Sequence, residues 1–444
     1  MRFKKSTSAD LHHVVIVGGG AGGLELATRL GDSLGRHSKA EITLIDRTRT
    51  HVWKPLLHEI AAGSMNPDKH ELEYLAQAHW HHFNFRLGEM DGLDRAKKEV
   101  YISANYDENG AEIIPRRTIK YDTLIIAIGS TTNDFGIKGA RENSIALDTM
   151  DQAERFHRRL HNALLRAQTQ AGPVHAGQLE VVIVGAGATG VELSAELHNT
   201  TRELAAYGLD KIDPDKDISI SLIEASDRVL PALPPNLSKA VDLELRKLGV
   251  HVYAGERVTE VTDKGVYTHS GRFIPSELVV WAAGIKAPDF LNGLDGLETN
   301  RINQLVVKRS LQTTVDENVF AFGDCAACPM VGSVDNVPPR AQAAHQQASM
   351  LIKTVKARLH GKALPDYVYR DYGSLVNLGR YSTVGSLMGS ISGGTMFIEG
   401  MFARLMYQSL YKMHLIALHG FFTVFLQTLA RMITRRTEPQ VKLH

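Results

Sequence analysis

At 444 residues the chain has room for two or three domains, and 43% hydrophobic and 22% charged residues with no low-complexity tract is a globular composition. A formal net charge of +1 excludes the global basic field of a nucleic-acid binder, and two cysteines, Cys325 and Cys328, exclude a secreted disulfide framework. The segment from Met1 to His13 is short, polar and basic, and the apolar run after it is too short for a signal-peptide core, so the catalytic body is expected in the cytoplasm.

That run opens the first nucleotide-binding signal. Val14-Val15-Ile16-Val17 reads as a buried parallel strand leading into Gly18-Gly19-Gly20-Ala21-Gly22-Gly23. Glycines at such a turn let the backbone approach a pyrophosphate, which then sits on the free N–H groups of the following helix. The ribose of the same nucleotide needs a carboxylate at the end of the next strand. Glu41-Ile42-Thr43-Leu44-Ile45-Asp46 supplies that strand and Asp46 that carboxylate, although a surface Asp capping a turn is the plainer alternative. The separation exceeds the usual ~20 residues, and a polar loop from Gly31 to Lys39 is expected to absorb the excess. Trp53-Lys54-Pro55-Leu56-Leu57-His58-Glu59 follows. Next come His79, His81 and His82 beside Trp80, read as a solvated turn and not as a metal site. Alternating apolar residues between Val100 and Lys120 predict a small hairpin around Asn109-Gly110. Tyr121 to Ser130 is a second buried strand, ending in the turn-compatible pair Gly129-Ser130.

The whole pattern then recurs. Val181-Val182-Ile183-Val184 runs into Gly185-Ala186-Gly187-Ala188-Thr189-Gly190, and Asp217 to Glu224 forms the following strand. A carboxylate at Glu224 accepts from an adenosine ribose and repels a 2′-phosphate, which favours NAD over NADP, while Arg228 is placed to meet a phosphate. Glu192, in the first turns of the helix, is either a helix-end charge or a carboxylate facing a nicotinamide. Leu278 to Ile285, with Gly284, looks like the closing strand of this domain. Two dinucleotides in one chain imply electrons passing between them.

Late in the chain, Val319-Phe320-Ala321-Phe322-Gly323-Asp324 is a third buried strand, whose Asp324 can bond a sugar alcohol chain. The adjoining Cys325-Ala326-Ala327-Cys328 offers two ligands where structural zinc takes four, so buried, redox-silent thiols are the plainer reading and no metal is expected. Pro338-Pro339 then precedes Ala341-Gln342-Ala343-Ala344-His345-Gln346, which reads as the start of a helix.

These segments together resemble the two-dinucleotide-binding-domain flavoproteins. Lys54-Pro55-Leu56-Leu57-His58-Glu59 and Ala341-Gln342-Ala343-Ala344-His345-Gln346 are far more specific, and with the Trp281-Ala282-Ala283-Gly284 strand they narrow the resemblance to the bacterial type II NADH:quinone oxidoreductases, over nearly the whole chain to Val441-Lys442-Leu443-His444. The resemblance implies an α/β chain of two Rossmann-type dinucleotide-binding domains, the second inserted in the first. FAD binding falls to 1–150 and 305–390, NADH binding to 151–304, and a C-terminal amphipathic helical membrane-docking region to 391–444. It further implies non-covalent FAD, NADH as substrate, and two-electron reduction of a membrane quinone without proton pumping. Flavin-binding positions carried over are Gly18, Gly20, Ala21, Gly22, Gly23, Asp46, Arg47, Lys54, Gly129, Asp324, Ala341 and Gln342. NADH-binding positions are Gly185, Gly187, Ala188, Thr189, Gly190, Glu192, Glu224 and Gly284. Glu192 and Gln342 take catalytic roles, with Gln342, His345 and Gln346 at the quinone. The plainer alternatives are an exposed loop charge for Lys54 and a backbone-satisfying helix residue for Gln342.

The tail fits this picture. Met401 to Leu418 is mostly apolar with Arg404, Gln408 and Lys412 at four-residue spacing, and Gly420 is a candidate break. Phe421 to Ile433 continues apolar with Thr423, Gln427 and Arg431 four apart, before Arg435 and Arg436. Neither stretch has the ~20 clean apolar residues of a spanning helix. A broad apolar face with basic edges suits the bilayer interface and anionic lipids, and the resemblance implies peripheral attachment at the cytoplasmic face of the inner membrane. Packing on the body or in a homodimer is the alternative, and a homodimer would present two such tails.

Neighbouring activities fit less well. Flavin disulfide reductases need a cysteine pair near the flavin, and Thr50 to Gly63 contains none. Sulfide:quinone oxidoreductases use separated cysteines, unlike Cys325 and Cys328. A soluble NAD(P)H-dependent reductase of a protein carrier and a redox-sensing scaffold are the other candidate functions. The basic tail argues against the first, and rapid multiple turnover with quinone would remove the second.

Overall fold

The computed structural model describes residues 11–378, 382–388, 395–434 and Val441. Two compact units are drawn from interleaved segments. The first takes Met1–Trp53, Glu71–Thr131 and Lys286–Asp371, and the second Lys54–His70, Thr132–Ile285 and Tyr372–His444.

The first unit is built on a five-stranded parallel sheet. Its β-branched runs form the strands His13–Val17, Glu41–Asp46, Asn84–Leu87, Thr123–Ile126 and Val319–Ala321. Their order places Val319–Ala321 beside Thr123–Ile126, then His13–Val17, Glu41–Asp46 and Asn84–Leu87. Val14, Val15, Ile16, Leu44, Ile45, Leu124, Ile125 and Phe320 are fully enclosed, as expected when both faces of a parallel sheet are covered. The helices Ala21–Leu30 and Ala341–Leu359 pack on each other. The hairpin around Asn109-Gly110 is present: Glu99–Ile102 pairs with Arg117–Lys120, and Gly110 takes φ +79° at its tip.

Where a polar loop was expected after the first helix, Gly31–Gly35 winds as a π-helical turn. Glycine is needed at both ends of this turn because of a close approach. A Cβ on Gly31 or Gly35 would lie 2.0 or 2.2 Å from the carbonyl oxygens of His81 or His82. The histidine-rich segment is thus a structural contact of that turn, and no group of three or more metal-ligating side chains occurs among the described residues.

The second unit repeats the design. Strands Ile145–Ala146, Leu278–Trp281, Glu180–Val184, Ser219–Glu224 and His251–Ala254 lie in that spatial order, all parallel. Val182, Val184, Ile223, Val279 and Trp281 belong to one buried core cluster of this unit. Lys54–His70, expected within the FAD-binding segment 1–150, lies in this compact unit. Its helix Leu57–Ala62 packs on the helices Met150–Thr169 and Ala188–Ala206, and a Cβ on Gly63 would sit 2.3 Å from the His157 ring. Residues 132–150 also lie in this unit, and 286–304 in the first.

The chain closes with an antiparallel sheet, Ser374–Leu378, Ser382–Met388 and Thr395–Glu399, and the helices Gly400–His419 and Phe421–Thr434. Gly420 at φ +78° separates the two helices. Phe421, Phe422, Phe425, Leu426 and Leu429 are all exposed and share one face at i, i+4, i+8 spacing, whereas Val424 is buried. No helix among the described residues is long and apolar enough to cross a membrane. The side chains of Arg404, Gln408 and Arg431, together with Arg435, Arg436 and Lys442–His444, lie outside the described residues.

Candidate active site

Each glycine loop is locked by the same three backbone devices. In the first unit, Gly18 has φ +101° and its N–H donates to Ile45 O at 2.8 Å. A Cβ on Gly23 would lie 1.9 Å from Gly18 O, so only glycine permits the helix to start this close to the strand. Around Gly20 there is open space on the side a Cβ would occupy. In the second unit, Gly185 has φ +102° and donates to Ile223 O at 2.8 Å. A Cβ on Gly190 would again lie 1.9 Å from Gly185 O, and Gly187 is again open. Both cradles therefore have the room and the exposed helix start that a pyrophosphate needs. Ala21, Gly22 and Gly23 open the first helix, and Ala188, Thr189 and Gly190 the second. Gly22 is held by Phe322, whose ring would be 2.5 Å from a Cβ there.

The two carboxylates expected at a ribose, Asp46 and Glu224, are held alike. Asp46 Oδ2 accepts from Gly19 N at 2.6 Å, and Oδ1 from the N–H and hydroxyl of Thr48 at 2.8 and 2.7 Å. Glu224 Oε2 accepts from Ala186 N at 2.8 Å and Oε1 from Ser226 N at 2.8 Å. Each acid is thus fixed to the second residue of its own loop. Arg228 is not poised for a phosphate: it donates to Pro231 O at 3.0 Å and lies 3.9 Å from Asp227. Gly284, at φ +64°, closes against Phe135, and Trp281 Nε1 donates to Asn133 O at 2.9 Å.

In the first unit Asp324 sits on the 3-10 turn Gly323–Cys325, where its carboxylate accepts from Ser130 Oγ at 2.8 Å beside the left-handed Gly129. Gly323 N donates to Gln347 Oε1 at 2.8 Å, which ties this turn to the Ala341–Leu359 helix. Arg47 makes a long exposed ion pair with Glu89, 3.7 Å. Cys325 and Cys328 are enclosed, and burial pushes both thiols up to about 12, so neither is a thiolate nucleophile at neutral pH.

At the start of the late helix, Gln342 Nε2 donates to Asp371 Oδ1 at 3.2 Å, and Arg340 pairs with the other oxygen at 3.2 Å. His345 Nδ1 meets the buried carboxylate of Glu25 at 2.5 Å, and Arg29 donates to the same carboxylate at 2.8 Å. The Gln346 amide pairs with the backbone of Arg370 on both sides, at 2.8 and 3.0 Å. His345 and Gln346 are accordingly built into the helix's own supports.

In the second unit, Lys54 Nζ lies 3.0 Å from Asp148 Oδ1, and Thr132 N donates to Asp148 Oδ2 at 2.8 Å. Glu192 is buried, with Oε1 accepting from Asn377 N at 3.0 Å and Oε2 3.7 Å from His58 Nδ1. Burial lowers His58 to about 4, so the ring is neutral at pH 7. Asp371, Asp148, Asn377, His58 and Glu25 were not legible as partners in the sequence, because each reaches its contact through tertiary pairing. Only Glu25–Arg29 carries a local signal, an i,i+4 ion pair.

Comparison with known proteins agrees with this geometry. The family model described as pyridine nucleotide-disulphide oxidoreductase matches residues 12–348. A type II NADH:quinone oxidoreductase from Haemophilus influenzae is 44% identical over 446 residues, spanning 98% of this chain and all of the relative. One from Staphylococcus aureus is 26% identical, covering 87% of this chain and 92% of its own. The structure of NDH2 from Plasmodium falciparum in complex with NADH has the same fold, with TM-score 0.79 at 19% identity, covering 98% of this chain and all of that one.

Proposed function

Because the chain belongs to the type II NADH:quinone oxidoreductases, within the wider pyridine nucleotide-disulphide oxidoreductase family, we propose that it passes electrons from NADH through non-covalent FAD to a membrane quinone. The observation that carries this reading is the duplication of a complete nucleotide cradle in a chain whose two cysteines are buried and inert. Two cradles supply a donor and a resident carrier, and the silent thiols remove the disulfide route that related flavoproteins use.

When bound, FAD supplies hydride acceptance and two-electron donation. The chain's part is to hold, orient and select. Gly18, Gly20 and Gly23 fit the flavin pyrophosphate, Asp46 the ribose and Asp324 the ribityl chain. Gly185, Gly187 and Gly190 fit the NADH pyrophosphate. Glu224 selects NADH, since a second negative group on the ribose would face its carboxylate, while the Arg228 guanidinium donates to Pro231 O. The bound dinucleotides would supply the hydride chemistry themselves, so the two cradles would contribute positioning, and no protein acid or base is required for that step. Glu192 is assigned to the nicotinamide side, and Gln342, whose amide can donate and accept, to a quinone carbonyl. His345 and Gln346 act by supporting Gln342, given their ties to Glu25 and Arg370.

The acceptor is lipid-soluble, and the aromatic face of the Phe421–Thr434 helix suits docking in the interface of an anionic bilayer, on the cytoplasmic face. Anaerobic stopped-flow on the protein in lipid tests the whole reading. NADH should bleach the flavin band fast, NADPH slowly, and quinone should restore it fast. Bleaching without recovery by quinone would transfer the assignment to a protein acceptor or a sensor.

A further inference from the structure

The two cradles differ at one atom that both must control. In a planar trans peptide the C=O of one residue and the N–H of the next point in opposite directions. Fixing the carbonyl of Gly19 therefore fixes where the N–H of Gly20 points, and Gly20 is the open position of the first loop. The same relation joins Ala186 O to the N–H of Gly187 in the second. In the second loop Ala186 O accepts one backbone N–H, from Leu230 at 2.8 Å. In the first loop Gly19 O accepts from two side chains, the Tyr74 hydroxyl at 2.8 Å and His51 Nδ1 at 2.9 Å.

Both side chains are buried, and the local fold brings them together. The short strand Thr50–His51 pairs antiparallel with Leu72–Glu73, with His51 opposite Leu72. Tyr74 N then donates to Arg49 O at 3.0 Å, and the Tyr74 ring stacks on Phe85 at 5.0 Å. Tyr74 also fills the space beside Gly19, where a Cβ would meet its hydroxyl at 2.4 Å. Burial lowers His51 to about 4, so its ring is neutral at pH 7 and donates to Gly19 from a protonated Nδ1.

We propose that His51 and Tyr74 are positioning residues that make FAD a resident cofactor: they clamp the Gly19 carbonyl so that the Gly20 N–H stays aimed at the flavin pyrophosphate. The NADH loop, held among the described residues by one backbone donor, suits a ligand that must leave each turnover. The proposal rests on the reading that the first loop carries FAD.

The test is FAD and NAD⁺ affinity of the full chain, titrated by flavin fluorescence and by calorimetry, with no turnover required. Tyr74→Phe removes one oxygen and keeps the ring stacked on Phe85. His51→Leu removes the other donor, and His51→Asn restores a donor near the Nδ1 position. Tyr74→Phe and His51→Leu should each weaken FAD about tenfold, and the double variant by more than the product, because a buried carbonyl is then left without a partner. His51→Asn should stay within about threefold of wild type, and NAD⁺ affinity within about twofold throughout. FAD affinity unchanged in Tyr74→Phe and in the double variant would overturn the clamp, as would parallel loss of NAD⁺. Lost quinone reduction with these FAD affinities as expected would count against the proposed function and leave the clamp standing. A wild-type chain that binds no FAD would overturn both.

Discussion

Replacing Gly190 by alanine applies a known displacement to one cradle, and Gly23→Ala applies the same displacement to the other. In each case the new methyl would lie 1.9 Å from a loop carbonyl oxygen, that of Gly185 or of Gly18. Methyl-to-oxygen contacts below about 3 Å do not persist, so helix and loop must separate by about 1 Å. A misplacement of that size at a positioning element costs on the order of 100-fold in rate, about 2.7 kcal/mol. Gly190→Ala should keep its FAD, be reduced by NADH about 100-fold more slowly, and be reoxidised by quinone at the normal rate after chemical reduction. Gly23→Ala should instead emerge from purification depleted of FAD. Stopped-flow and flavin quantitation separate the two outcomes. Wild-type reduction by NADH in Gly190→Ala, or flavin loss of equal extent in both variants, would refute the argument that each loop serves one nucleotide.

Serine at Phe421, Phe425 and Leu429 should release the protein from anionic vesicles while FAD is kept, because each exposed side chain contributes about 1.5–3 kcal/mol of burial; full sedimentation with vesicles would place docking elsewhere. Gln342→Leu should slow flavin reoxidation by quinone about 10- to 100-fold and leave reduction by NADH within about twofold; equal slowing of both half-reactions would remove Gln342 from the quinone step. Stability should fall on acidification below pH 6.5. His51 and His58 are lowered by burial to about 4, so the unfolded chain binds more protons between pH 6.5 and 4, and stability present above 6.5 is lost toward 4. Each contributes about 2 kcal/mol of loss by pH 5. A thermal midpoint that stays flat from pH 7 to 5, or that falls as steeply in His58→Phe, would refute this.

The parts of the fold legible in the sequence are those set by local pattern. Val14–Val17 and Val181–Val184 could be placed because four consecutive β-branched residues before a glycine run leave few other conformations. Asp46 and Glu224 could be placed because each ends the next strand. The division of the chain was less legible, since Lys54–His70 joins the second unit through Gly63 under His157, a contact between residues far apart in sequence. His345 shows the same limit within the site. The resemblance assigns it to the quinone, while its partner Glu25 is only a charged residue in a helix until the fold buries it. The Gly31–Gly35 turn read as a loop because two glycines look like breakers, and only the carbonyls of His81 and His82 show why glycine is needed there.

The burial of Cys325 and Cys328 has a practical use. A thiol pushed up to about 12 is ionised to about one part in a hundred thousand at neutral pH, and both sulfurs are shielded from solvent as well. Maleimide and nitroxide reagents will therefore pass over the native chain. A single engineered cysteine at an exposed position such as Leu426 becomes the only reactive handle, with no need to delete the native pair. A spin label there, read against lipid-soluble and water-soluble relaxation agents, would test whether the tail enters a bilayer and how deeply.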